Sequence, residues 1–369
     1  MGRTRDVDAC PGALTLHTAA DGPLARIRLP GGMISAPQLN TLARAATEFG
    51  SPAMELTSRG NIQIRGITDE AAVARAVAAA GLLPSPTHER VRNVVASPLS
   101  GRLGGHTDVR AWVAELDAAI RAEPALARLP GRFWFGIDDG RGDVSALAPD
   151  VGVHVLGDTA ALLLAGRDSG VRIPCSKGVT TLVALAARFA RTRGKAWRIS
   201  ELEGNGSLLA GLPVSAEQGA TWPPVTRPPV GWLPQDDGRI ALGAAVPLGV
   251  LHARSAEFLA AIGAPMVITP WRSVLVCDLD DGVADTSLRV LAPLGLVFDE
   301  NSPWLNVSAC TGSPGCEHSR ADVRADAARA LNSLVGGHRH YVGCDRACGS
   351  RAGDEVLMAT GDGYRRLDS

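Results

Sequence analysis

Four cysteines crowd the C-terminal part of the chain: Cys310 and Cys316, then Cys344 and Cys348. The spacing is C-x5-C, a gap of 27 residues, then C-x3-C. Thiolates are soft ligands that suit iron–sulfur clusters or zinc. Four of them match the demand of a 4Fe-4S cluster. Structural zinc favours pairs roughly two to four residues apart, so the five-residue gap argues against zinc and the C-x3-C pair does not. Two other readings stay open at this point: a zinc site, and four unrelated core cysteines. Gly312, Pro314 and Gly315 lie between the first two thiols. They suit a tight loop whose backbone N–H groups turn toward an anionic cluster. Cys10, Cys175 and Cys277 have no partner in the pattern. Cys277 falls on an expected strand and reads as core.

The elements that must carry these thiols come from a duplication. Residues 53–64, AMELTSRGNIQI, and 265–276, PMVITPWRSVLV, each read as strand, turn, strand at an offset of 212. Helical stretches precede them at 37–49 and 254–262 and follow them at 69–82 and 283–293. With a strand before the first helix, this gives a β-α-β-β-α outline twice, that of a ferredoxin-like unit. The match continues from Asn93-Val94-Val95-Ala96-Ser97 to Asn306-Val307-Ser308-Ala309-Cys310, and from Asp108-Val109-Arg110 to Asp322-Val323-Arg324. Only the second copy has a cysteine after Asn-Val-x-Ala; the first has Ser97. The 321–334 stretch reads as a helix. The expected organisation is a first ferredoxin-like half at 1–85, a first cofactor or substrate lobe without cysteine ligands at 86–210, a Pro-rich linker at 211–235, a second half at 236–300, and a 4Fe-4S lobe at 301–369.

Composition bounds the function. The chain has 369 residues, 46% hydrophobic and 20% charged, with a formal net charge of -1. That balance gives no reason to expect nucleic acid or an anionic membrane as partner. No run approaches the ~18 apolar residues of a membrane span, and the start of the chain has no signal-like apolar stretch. Together with unframed cysteines, this gives an expectation of a reducing, cytoplasmic location. Lys177 and Lys195 are the only lysines, so a lysine of any related protein is readily arginine here.

The cysteine spacing and the duplication resemble those of the sulfite and nitrite reductases. The resemblance covers nearly the whole chain. It implies an α+β fold of duplicated ferredoxin-like halves with two cluster- or cofactor-binding lobes, a sulfite reductase haemoprotein-like architecture. In that family the last cysteine, here Cys348, bridges the cluster to a sirohaem iron. Basic residues that bind the anion have counterparts in Thr57-Ser58-Arg59…Gln63, in Arg92-Asn93-Val94 and in Leu129-Pro130-Gly131-Arg132-Phe133-Trp134. The last motif departs from the family's Leu-Pro-x-Lys-Phe-Lys. Its first lysine is Arg132 and its second is Trp134, which removes a charge and a proton source and offers an apolar ring face instead.

One branch is closer. The opening Asp8-Ala9-Cys10-Pro11-Gly12-Ala13-Leu14 and the segment Asp21–Gly32 are similar to the precorrin-3B synthase family, and the chain is lean for a sulfite reductase. This resemblance implies hydroxylation of the tetrapyrrole precorrin-3A with O2, closure of a lactone, a 4Fe-4S cluster, and a second iron. That iron is non-haem here, or sirohaem if the reductase reading holds. The electrons derive ultimately from NADH. Arg59, Arg92 and Arg132 would clamp the substrate carboxylates, with Trp134 beside the ring. The alternatives are a sirohaem-dependent sulfite or nitrite reductase and a catalytically idle, cluster-bearing interaction protein. No catalytic base or acid stands out. His318, His338 and His340 flank the cysteines, and each reads better as a polar histidine than as an iron ligand. No G-x-G-x-x-G follows a strand. Electrons are therefore expected from a separate reductase or ferredoxin-type carrier.

Overall fold

A computed structural model describes residues 8, 10–225, 228–331, 337–350 and 353–367. The chain divides into two compact units. One takes the described residues up to Leu14, Arg28–Met33 and Leu83–Val225; the other takes Thr15–Ile27, Ile34–Leu82 and the described residues from 228 onward.

The larger unit holds both ferredoxin-like halves. Its first sheet runs in the order His17–Ala19, Gly22–Ile27, Ile62–Ile64, Ala53–Leu56, Val250–His252; the second runs Gly231–Pro234, Ile240–Ala245, Ser273–Leu279, Met266–Ile268, Met33–Ile34. The sheets exchange their edges: Val250–His252, which precedes the second half's helix, pairs antiparallel with Ala53–Leu56 of the first half. This closes a sheet edge that would otherwise carry unpaired backbone groups. Helix Ala36–Phe49 starts at a capping box, in which Ser35 and Gln38 satisfy each other's backbone N–H. It buries Leu39, Leu42, Ala43 and Ala46, one helical face. Helices Glu70–Ala79, Ala253–Ala261 and Asp281–Leu291 fill the other expected positions. The repeat is thus found at every element the sequence indicated.

The cysteine-bearing lobe closes this unit. Val307–Ala309, Arg339–Val342 and Glu355–Ala359 are parallel neighbours, and Tyr364–Leu367 returns antiparallel. Helix Val323–Arg329 lies between the first two strands in sequence, capped by Asp322 through the Ala325 N–H. It is shorter than the expected 321–334, of which 332–334 lie outside the described residues.

The other unit repeats that topology. Val94–Ala96, Phe135–Asp138 and Val151–Leu156 are parallel, and Thr159–Leu164 returns antiparallel before Arg167–Pro174 completes the sheet. Strands buried on both faces read as continuous apolar runs, as here. Helices Arg110–Ala122 and Gly178–Thr192 pack on it around Phe133, Phe135 and Phe189, with Phe133 stacked on Phe189 at 5.1 Å. The expected linker is partly built into this unit. The Ser215 and Ala216 N–H groups bond the Gly170 carbonyl, and Trp222 lies 4.6 Å from the His154 ring. Thr226 and Arg227 lie outside the described residues.

Candidate metal centre and anion-binding residues

Cys310 directly follows the first strand of its lobe, and Cys344 and Cys348 lie on the loop after the second. The four thiols therefore gather at the C-terminal ends of parallel strands, where such sheets carry their sites. Cys310, Cys316 and Cys344 are half-buried, Cys348 is exposed, and none is in a disulfide. Gly343 N–H points at the Cys310 sulfur at 3.4 Å. Burial pushes the Cys310 thiol up, with the Gly343 and Gly312 N–H groups pulling the other way. Such N–H groups suit an anionic cluster and hold the thiolates that bind it. Gly312 adopts φ 72, and a Cβ there would stand 2.7 Å from Val323 Cγ2. The loop needs glycine at that position on both counts.

No three of the four sulfurs lie within 4.8 Å of one another; the one set of His, Cys, Asp or Glu that meets this limit among the described residues is Asp138, Asp139 and Asp143. The soft all-sulfur donor set suits an iron–sulfur core, and four thiolates are the number a 4Fe-4S cluster takes.

Two buried side chains, His340 and Arg65, and the half-buried Arg272 brace these loops. His340, 0% exposed, takes the Ser308 hydroxyl at Nδ1 (2.7 Å) and reaches the Cys348 carbonyl with Nε2 (3.0 Å). A carbonyl can only accept, so Nε2 carries the proton and Nδ1 accepts from Ser308. Burial and the Arg272 charge press its pKa down to about 4. Arg272, at φ 60, donates to the Gly349 carbonyl at 3.3 Å. Arg65 is 8% exposed, forks onto Asp21 with two 2.8 Å bonds, and donates to the Gly315 carbonyl at 2.7 Å. Sequence reading missed Arg65 and Arg272; their positions, after Gln63-Ile64 and Pro270-Trp271, were the available signal. His338 Nδ1 lies 2.8 Å from an Asp354 carboxylate oxygen, and His318 lies 3.2 Å from Glu317. Neither they nor His340 assemble a facial triad.

Arg59 sits on the Thr57–Asn61 turn of the larger unit, where Thr57 Oγ1 accepts the Arg59 and Asn61 N–H groups. Gln63 does not face outward: it is buried between Arg26 (2.7 Å) and Glu55 (2.9 Å), and Glu55 also pairs with Arg324 of the cysteine lobe's helix.

Arg92, Arg132 and Trp134 belong to the other unit. Arg92, 5% exposed, is forked onto Asp117 at 2.6 and 3.2 Å. Asn93 bonds the Gly131 and Phe133 carbonyls at 2.9 and 3.1 Å and so fixes the 129–134 loop. Arg132 is exposed, 5.4 Å from the Trp197 ring. Trp134 is 4% exposed and packs with Val95, Val144 and Leu147. It is a core side chain here rather than an open ring face. The opening motif holds this loop: Asp8 accepts the Gly131 N–H, and Cys10 Sγ lies 3.4 Å from the Gly131 carbonyl and from Arg28. Cys10 thus has the partners that the spacing did not reveal.

In this unit Ser97 stands where the other lobe has Cys310. Its N–H bonds the Ile137 carbonyl (3.1 Å), as the Cys310 N–H bonds that of Tyr341 (2.9 Å). Its hydroxyl donates to Asp143 at 2.6 Å and accepts the Asp139 N–H at 3.1 Å. Asp138 receives the N–H groups of Gly140, Gly142, Val144 and Ser145. Burial opposes its ionisation, but bonds from His154, Ser145 and Gly142 prevail and hold its pKa at about 2. Asp139 is forked by Arg141 at 2.8 and 2.7 Å. Asp143 is pushed up to about 7, by burial first and the Asp138 charge next. Protein donors satisfy this carboxylate cluster.

Comparisons with known proteins bear on the fold. Residues 17–77 match the nitrite/sulfite reductase ferredoxin-like half domain. The Mycobacterium tuberculosis NirA structure superposes with a TM-score of 0.76 over 89% of this chain and 69% of that one, at 23% identity. The likeness to NirA gives the fold, and residues 17–77 carry the pattern of the half domain. A Mycobacterium tuberculosis sulfite reductase [ferredoxin] is 24% identical over 84% of this chain, which spans 62% of that protein's length. A Synechococcus elongatus ferredoxin–nitrite reductase is 31% identical over 32% of this chain and 25% of its own. A precorrin-3B synthase from a Sinorhizobium species is 27% identical over 96% of this chain and 81% of that protein. The relatives are oxidoreductases. Among the described residues no helix is long and apolar enough to cross a membrane.

Proposed function

We propose that the chain is a precorrin-3B synthase-like monooxygenase, which hydroxylates precorrin-3A with O2 and closes a lactone. The observation that carries this reading is the similarity to precorrin-3B synthase over 96% of the chain, which reaches into both compact units. Cys310, Cys316, Cys344 and Cys348 would hold a 4Fe-4S cluster, which supplies one-electron transfer when bound. A ferredoxin-type carrier or separate reductase would deliver those electrons. Arg59 and Arg132 would bind substrate carboxylates, each through the planar fork that suits them. Arg92 has its fork on Asp117 and would serve mainly by holding that part of the unit. Trp134, in the place of a lysine, gives up a cationic proton donor that a six-electron reduction of a small anion needs. A second reading, a sirohaem-dependent sulfite or nitrite reductase, is favoured by the exposure of Cys348, the residue that in that family would link the cluster to a haem iron.

The test purifies the protein without air and records iron, acid-labile sulfide and the visible spectrum. The reduced protein then receives precorrin-3A with 18O2, or sulfite, or nitrite. Incorporation of one labelled oxygen into the tetrapyrrole is expected. Sulfide or ammonia formation with no label in the tetrapyrrole would replace this reading by the reductase one. No turnover in any arm, with ligand binding unchanged by Arg59→Ala, would leave an idle cluster protein.

A further inference from the structure

We propose that Arg65, balanced by Asp21, is a positioning residue that sets the reduction potential of the cluster carried by the four cysteines. This rests on the cluster reading above.

Arg65 follows the last residue of strand Ile62–Ile64 in the first ferredoxin-like half. It is a long cation with little contact to water, and burying such a group is costly unless it is paired and bonded. Its donors are committed in two directions. Two go to Asp21, and one of those nitrogens also goes to the Gly315 carbonyl at 2.7 Å. Gly315 immediately precedes Cys316. Glu55 lies 3.7 Å from the other terminal nitrogen of Arg65 and is itself shared with Arg324 and Gln63. The Arg65 pKa is raised despite burial; the Asp21 bond leads among the raising contributions and the Cys316 thiolate is also one of them.

The contact also fixes the loop. A Cβ at Gly315 would stand 2.7 Å from Thr311 Cγ2, 3.1 Å from an Asp21 carboxylate oxygen and 3.4 Å from the Arg65 guanidinium. The ion pair is pressed against the backbone that carries Cys316, with no side chain between. A fixed positive charge near an iron–sulfur cluster stabilises its reduced, more negative form and raises its potential; a fixed negative charge does the reverse. Arg65 and Asp21 oppose each other at one point of the loop. Removing either changes the local charge by one unit, with opposite sign.

That opposition separates an electrostatic role from mere support of the loop. The experiment uses the full chain, purified and reconstituted with iron and sulfide without air. Cluster content is measured by iron, sulfide and the visible spectrum, and the midpoint potential by a redox titration read by electron paramagnetic resonance. Arg65→Gln should shift the midpoint to more negative potential, since it removes the cation and leaves Asp21. Asp21→Asn should shift it to more positive potential, and Arg65→Lys should restore most of the wild-type value. Equal midpoints in all four proteins, or shifts of the same sign in Arg65→Gln and Asp21→Asn, would overturn the proposal while leaving the cluster reading intact. If Arg65→Gln loses its cluster, Asp21→Asn decides alone: a positive shift supports the role and an unchanged midpoint refutes it. A wild-type protein that takes up zinc and no iron overturns both readings, and the metal content identifies that case.

Discussion

Asp143→Asn is expected to make the protein more stable above neutral pH and to leave it unchanged near pH 4. Burial and the Asp138 charge raise the folded Asp143 carboxyl to about 7, from 3.8 for an ordinary aspartate. Between those two values the unfolded chain is ionised at this residue while the folded one keeps its proton. The folded state then binds more protons, so stability falls as pH rises through this window and levels off above about 7. A shift of about 3 units corresponds to about 4 kcal/mol at ~1.36 kcal/mol per unit, an upper figure because Arg141 and water entry can relax the buried charge. Asparagine keeps the acceptor for the Ser97 hydroxyl and cannot ionise. Urea unfolding of the two proteins at several values from pH 4 to 8 isolates this residue as their difference. That difference should grow from near zero at pH 4 to about 2–4 kcal/mol at pH 8. A constant difference across the range would refute the assignment of the raised pKa to Asp143.

Cys344→Ser should abolish iron and sulfide binding and lower protection from hydrogen exchange in the 307–359 region; retention of a full cluster would remove Cys344 from the ligand set. Arg92→Ala should cost about 1–3 kcal/mol in unfolding, less than the ~3–5 of a fully orphaned buried charge, because Arg121 still lies 3.3 Å from Asp117. Arg59→Ala should barely change stability but weaken tetrapyrrole binding about 10–100-fold, the worth of a charged hydrogen bond of about 1.5–3 kcal/mol; equilibrium titration of precorrin-3A without air measures it. Trp134→Ala should cost about 3–5 kcal/mol, and Trp134→Lys at least as much, since it sets an unpaired ammonium against Val95, Val144 and Leu147. An unchanged melting temperature for Trp134→Lys would show that the side chain is not in the core.

The repeat was legible because strand and helix periods are local properties. The 53–64 and 265–276 segments, and the four helices around them, fell where alternation and apolar spacing indicated. The edge exchange of Val250–His252 was not legible, since three residues carry too little pattern to name a partner strand. Ser97 and Cys310 could be aligned from Asn-Val-x-Ala alone. The carboxylate cluster around Ser97 could not, because Asp138 and Asp139 look like ordinary turn residues until four backbone N–H groups are seen to converge. The same limit applied to Arg92. Its motif was visible, and its commitment to Asp117, 25 residues on, depended on how helix Arg110–Ala122 packs. Buried cations such as Arg65 were hidden for a related reason: sequence shows a charge and not its distance from water.

The two lobes share one strand order, with Ser97 in one and Cys310 in the other at the same backbone bond. One closes its loop with its own carboxylates and arginine, and the other leaves that place to sulfur and, on the reading above, to iron. A single polypeptide thus contains a cysteine-bearing scaffold and a counterpart of the same strand order with serine at that place. Hydrogen exchange followed peptide by peptide, in one tube and under one set of conditions, can take the first lobe as the internal standard for the second. What the inorganic core adds to folding would then be read as the change in that difference between the loaded and the metal-stripped protein.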